Sequence, residues 1–225
     1  MSHLHLPDGV VPLWLWGSAW LLAIVIAAVG FRREAATPQR IARVGALSAV
    51  MLAAMAIELP LGPVEFHLTL AGPFGILLGG FGAFHVALVS GSILAFAGHG
   101  GFTLIGLNAL LLGLEGTVAA AVYPVLSRSR GAAPAMAGAT VLARLVAGAA
   151  WIAVMVLATD SRSRESGVPA RHAMLASIAV PLLLVGVVIE SAVAFGIARF
   201  LERVRPDLVT RGTVPLEVIG ESEAR

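Results

Sequence analysis

The residues best suited to chemistry are the first nine, Met1-Ser2-His3-Leu4-His5-Leu6-Pro7-Asp8-Gly9, where two histidines follow the terminus and precede a long apolar segment. An α-amine, deprotonated backbone amides and an imidazole present several nitrogen donors in one plane, a geometry that suits Ni(II) or Cu(II) better than tetrahedral zinc. Binding of this kind depends on pH, because amine and imidazoles must lose protons before they coordinate. Ser2 is small enough to permit removal of Met1, which would change the residue that supplies the amine. No basic stretch precedes the first apolar segment and no small-residue cleavage site closes it, so this terminus is expected to persist. Two histidines alone more often mark an ordinary polar terminus, and the weight falls on what accompanies them.

His67 lies in Pro60-Leu61-Gly62-Pro63-Val64-Glu65-Phe66-His67, where two prolines and a glycine force irregular backbone that can turn a side chain inward. His99 sits among Gly98, Gly100 and Gly101, which allow close packing over a site. A catalytic reading would make His99 a general base, but no nucleophile, base and orienting group form a recognisable set. Asn108 lies just inside the following apolar segment, where an amide either bonds a neighbouring helix or loop carbonyl or supports a metal site. His85 reads as a packed histidine at the far end of its helix.

Composition decides the solvent that positions these residues. Of 225 residues, 58% are hydrophobic and 12% charged, and mean hydropathy is +0.92. A soluble domain carries roughly 25% charged residues, so the chain is a polytopic helical membrane protein. The pI near 10.3 reflects a net charge of only +2, with arginines confined to short segments, so no nucleic-acid face is implied. With no cysteine, disulfides, thiolate metal sites and cysteine nucleophiles are excluded.

Segments able to span a hydrocarbon core at ~20 residues each run from about Val11 to Gly30, Ala42 to Leu59, Phe81 to Gly98, Thr103 to Leu126, Ala133 to Thr159 and Ala173 to Ala198. A seventh, Leu68 to Gly80, is only 13 residues long and reads as a short or partly re-entrant helix. Arg32, Arg33, Arg40 and Arg43 mark the loop from Phe31 to Val44 as cytoplasmic. Seven crossings then put Arg128, Arg130, Arg199, Arg203 and Arg205 on the same side, with the N-terminus outside and the C-terminus inside; six would reverse this bias. That topology gathers the terminal histidines, His67 and His99 at the external face. Residues 1–205 read as one membrane domain with a metal-binding segment at 1–9, and residues 206–225 as a polar cytoplasmic tail. Arg144, Glu115 and Glu190 fall at similar depths within their helices, which predicts a buried structural ion pair. Ala23 and Ala27 allow close helix approach, and Trp14, Trp16 and Trp20 fit an interfacial belt, although Trp20 can instead pack inside.

In combination these motifs resemble the CbiM/NikM family, the substrate-binding (S) components of energy-coupling factor transporters for cobalt and nickel. His5-Leu6-Pro7-Asp8-Gly9 is similar to the family's His-Ile-Pro-Asp-Gly. Pro60-Leu61-Gly62-Pro63 with His67 is similar to its Pro-x-Gly-x and histidine loop, and His99-Gly100-Gly101 through Gly106-x-Asn108 to its Gly-Gly, Leu-Gly-x-Asn signature. The match covers roughly residues 1 to 116. It implies a seven-helix S component whose N-terminal segment dips into the bundle and holds Ni2+ or Co2+ through the terminal amine, an early amide and imidazole, and the loop histidine, here His67. It implies a transmembrane coupling (T) component, cytoplasmic ABC-type ATPases, often a small accessory membrane subunit, and a prokaryotic cell membrane. No organic cofactor and no ATPase activity of the chain's own are expected; no Walker-type loop occurs.

One departure is informative. In the family pattern the histidine before Pro-Asp-Gly directly follows the terminal residue, whereas His5 has four residues before it. Alignment favours His5 and proximity to the amine favours His3. The expected metal donors are therefore Met1, Ser2, His3, His5 and His67, with Asp8, His99 and Asn108 in support. The alternatives are an S component for an organic micronutrient, which predicts an aromatic-lined pocket, and a membrane hydrolase using His99, which predicts turnover.

Overall fold

The computed structural model describes residues 8–9, 11–34, 37–57, 59–61, 64–98, 101–166 and 172–210, with side chains at 59–66, 162–178 and 210 left aside. Helix α1, Leu13–Arg33, starts behind Pro12 and ends on Arg32 and Arg33, whose charge suits a helix C-terminus. Helix α2, Pro38–Met55, starts where the Thr37 side chain accepts from the Arg40 amide at 3.2 Å, with Pro38 in the first turn. That cap begins the helix four residues before the predicted Ala42 and lets it end at Met55. The residues up to Leu59 are thereby released into a small antiparallel pair, β1 (Leu59–Leu61) and β2 (Val64–Phe66), with Leu59 opposite Phe66. Helix α3 spans Ala71–Phe96, and a 3-10 turn, Phe102–Leu104, leads into α4, Ile105–Arg130. Gly131 alone joins α4 to α5, Ala132–Ser166, and is followed after α5 by α6, His172–Val204, and α7, Pro206–Thr210.

Among the described residues, five stretches are long and apolar enough to cross a membrane: 13–33, 71–96, 102–130, 132–161 and 179–204. Helix α2, with Arg40 and Arg43 in its first turns, is the more polar remainder. Helix α3 is not straight, because Gly79 takes φ 78° and ψ 173°, a conformation open essentially to glycine alone. A Cβ on Gly116 would sit 3.1 Å from the Ala71 carbonyl oxygen, 3.4 Å from the Gly75 Cα and against the Ala83 methyl. In a continuous helix residues 71 and 83 would lie ~18 Å apart, so the chain doubles back at Gly79. The short segment predicted over Leu68–Gly80 is this first arm, residues 71–78, and the second arm is 80–96.

Both arms leave the turn toward the same end of the bundle, and Phe96 meets Phe102 there at a ring separation of 5.2 Å. Gly30, at the other end of α1, lies against His85 and Phe81 near the turn, so His85 is buried in a helix contact. The far end of α4 carries Tyr123, whose hydroxyl donates to the Val209 carbonyl at 2.6 Å. Residues 206–210 form a helical turn held by that bond and by burial of Val209 beside Met136 and Ala198. Residues 211–225 lie outside the described set.

Small residues set the spacing. Ala135, Ala139, Ala143 and Ala147, four apart, are buried along one face of α5, and such a stripe lets helices approach closely where lipid supplies no hydrophobic drive. The tightest crossing is α3 on α4, where a Cβ on Gly75 would strike the Gly116 backbone. Gly75→Ala should therefore lower the thermal unfolding midpoint, by an estimated 1–3 kcal/mol of overpacking. Gly91→Ala, which meets nothing within 4 Å, should leave the midpoint unchanged or raise it.

Candidate metal centre and the polar core beside it

Met1, Ser2, His3 and His5 lie outside the described residues, as do Glu58 and His99. Asp8, the first described residue, is firmly tied. Its carboxylate accepts from the Phe102 amide at 3.0 Å, the Thr103 amide at 2.9 Å and the Thr103 hydroxyl. It thus caps the helical segment that opens α4, a carboxylate at the positive end of a helix. The hydrogen bond from the Thr103 hydroxyl holds the Asp8 carboxyl below its ordinary value, against a smaller opposing effect of desolvation.

The glycines explain how the segment fits. A Cβ on Gly101 would collide with the Asp8 backbone and carboxyl. One on Gly106 would come within 3.0 Å of the Trp20 Cα and 3.1 Å of its indole. Trp20 packs inward and donates from Nε1 to the Thr103 carbonyl at 2.8 Å, whereas Trp14 is exposed. Thr103 therefore joins Asp8 to α1, a role with no visible signal in an unremarkable threonine at a helix start.

His67 follows β2 directly and is buried. Its Nδ1 lies 2.6 Å from the Met55 carbonyl at the end of α2. A carbonyl only accepts, so Nδ1 carries the proton and, in the neutral ring, Nε2 carries the lone pair. A backbone carbonyl on the second nitrogen is a usual way of fixing a metal-binding imidazole. Among the described residues no three of His, Asp and Glu converge as a cage.

Two residues on, the chain enters a buried ionic cluster. Arg144 of α5 donates from Nη1 to Glu115 Oε2 of α4 at 2.8 Å and to the Thr69 hydroxyl at 3.1 Å, and its Nη2 lies 3.8 Å from Glu190 Oε1 of α6. Glu190 accepts from the Thr69 amide at 2.6 Å, the Thr69 hydroxyl at 3.0 Å and the Leu70 amide at 3.2 Å. Asn108 lines a cavity of about 30 Å³ shared with Thr69, Glu115, Arg144 and Trp151. Asn108 Oδ1, Glu115 Oε1 and Arg144 Nη2 have no hydrogen-bond partner among the described residues. Asn108 therefore faces the ion cluster, and no described contact links it to Asp8 or His67.

The decisive comparison is a match to the family model for the cobalt uptake substrate-specific transmembrane region (CbiM), which extends over residues 5–208. The chain belongs to this cobalt uptake family. Membership makes it a multi-pass membrane protein of a metal-uptake family, and places within one family pattern both the anchored Asp8 and the loop carrying His67. Two solved structures share the fold. One, described as a transition metal transporter, has a TM-score of 0.77 at 16% identity and covers 89% of this chain and 93% of its own. The other, a truncated transition metal transporter, has a TM-score of 0.76 at 17% identity, covering 88% and 97%. No curated protein sequence matches the chain.

The Asp8 anchor has a defined pH signature. Because the folded-state value lies below the ordinary 3.8, the anchor's stabilisation is complete above that pH and is lost as pH falls through the lower folded value. Asp8→Ala should cost about 1 kcal/mol, as for a lost helix cap. The difference in unfolding midpoint from the wild type should stay constant from neutral pH to about pH 5 and vanish only below the ordinary carboxylate range.

Proposed function

We propose that this chain is the substrate-binding component of an energy-coupling factor importer, capturing Ni2+ or Co2+ at the external face of a prokaryotic cell membrane. The metal is held by the terminal amine, an early backbone amide, an N-terminal imidazole and His67. Of the two N-terminal histidines, His3 ranks first by its distance from the amine, with His5 a further ligand or a supporting residue. The arginine-rich loop between α1 and α2 faces the cytoplasm, so the Asp8 end faces outward. A transmembrane coupling component and cytoplasmic ABC-type ATPases supply the energy, with a small accessory membrane subunit in some assemblies.

The observation that carries this reading is that two residues of the family pattern are each fixed by the fold. Asp8 is bonded to the start of α4, and His67 is pinned in one tautomer by Met55. His5 is three positions from Asp8, a reach of at most ~10 Å, so the Asp8 anchor limits how far His5 can lie from the start of α4. An all-nitrogen, near-planar set suits Ni(II), and Co(II) accepts the same donors.

Titration calorimetry of the purified chain with Ni(II) should give tight 1:1 binding that is lost when a short tag blocks the amine and weakened at least tenfold in His67→Ala. Unchanged affinity on blocking the amine would overturn the chelate. Loss of binding in His5→Ala but not in His3→Ala would reverse the ranking of the two histidines.

A further inference from the structure

Glu190 sits on α6, far in sequence from the metal-binding segments, yet most of its hydrogen bonds go to the four-residue connection His67-Leu68-Thr69-Leu70. Its two carboxylate oxygens accept from the Thr69 amide and hydroxyl and from the Leu70 amide. Glu190 is fully buried, and Thr69 and Leu70 are nearly so. Leu70 is the sole non-glycine residue with positive φ among the described residues, at φ 56°. A leucine is costly in that left-handed conformation, which persists only where the surroundings impose it. What imposes it here is the carboxylate, which gathers successive amide groups at the start of α3. At its other end the connection carries His67, whose ring is fixed by the Met55 carbonyl.

We propose that Glu190 is the positioning residue of the metal-binding loop, holding Thr69 and the left-handed Leu70 so that His67 is presented to the metal. The inference rests on the reading of His67 as a ligand. Glu190 touches no metal; it acts through two residues of backbone, and it makes the position of α6 a determinant of metal affinity.

Glu190→Gln is the informative variant. The amide keeps one acceptor oxygen and turns its NH2 toward a donor, so at least one of the three bonds is lost. The Arg144–Glu115 pair that remains is charge-balanced, which favours folding. With Ni(II) alone as probe and the native N-terminus intact, Glu190→Gln should bind about tenfold more weakly than the wild type, as expected for loss of one hydrogen bond to a charged group. Leu70→Gly, which adopts the left-handed conformation without cost, should restore most of that loss in the double variant Glu190→Gln/Leu70→Gly. A merely structural role would not give this rescue.

Wild-type affinity in folded Glu190→Gln, or failure of Leu70→Gly to restore it, would overturn the proposal. If Glu190→Gln does not fold, Thr69→Val, which deletes the hydroxyl donor, carries the same test, with weaker binding expected and unchanged binding contradicting. Wild-type affinity in His67→Ala would instead remove His67 as a ligand, and this inference with it, while leaving the Glu190 bonds themselves unaffected.

Discussion

One guanidinium in the membrane interior organises the packing of four helices. Arg144 on α5 meets Glu115 on α4 and approaches Glu190 on α6, and Thr69, just before α3, hydrogen-bonds to both Arg144 and Glu190. Two carboxylates exceed one guanidinium by a charge, and the amides at the start of α3 supply the further positive partner through the helix dipole. Separating any of these groups in hydrocarbon costs several kcal/mol. The cluster therefore fixes the relative positions of α3, α4, α5 and α6 more narrowly than apolar contact, which in lipid scarcely distinguishes one helix partner from another.

The doubled-back α3 follows from that constraint. Its first arm starts deep in the bundle because Glu190 caps it there, and it must then turn at Gly79 to bring Phe96 back to Phe102. The Gly75–Gly116 crossing provides the room. The result is a loop carrying His67 whose two ends are both held, by the Met55 carbonyl on α2 and by Glu190 on α6. The N-terminal segment is held separately, by Asp8 on Thr103 and by the space that Gly101 leaves. The proposed metal site draws its donors from distant parts of the chain, and only the core between them needs to be rigid.

Much of this was legible in the residues. Composition and apolar runs gave the membrane class and the approximate helices, and depth arithmetic at ~1.5 Å per residue brought Arg144, Glu115 and Glu190 together. The brevity of Leu68–Gly80 announced an irregular first arm. What was hidden depended on tertiary contacts that leave no pattern: the capping of α4 by Asp8, the bond from Trp20 to Thr103, and the pivotal place of Thr69. Glycines at 101 and 106 could be noticed as a motif, but their reason, the close approach of Asp8 and Trp20, appears only in three dimensions. Nor does the sequence show that one buried valine and one tyrosine hydroxyl tie residues 206–210 to the bundle.

The account's central claim is that the metal is held by nitrogen donors from the terminus and from His67. X-ray absorption spectroscopy of the Ni(II)-loaded protein, prepared with its native N-terminus, tests that claim at the metal itself. A four-coordinate, all-nitrogen shell with imidazole scattering that weakens in His67→Ala is the predicted result. A six-coordinate shell of oxygen donors, unchanged by His67→Ala, would contradict it.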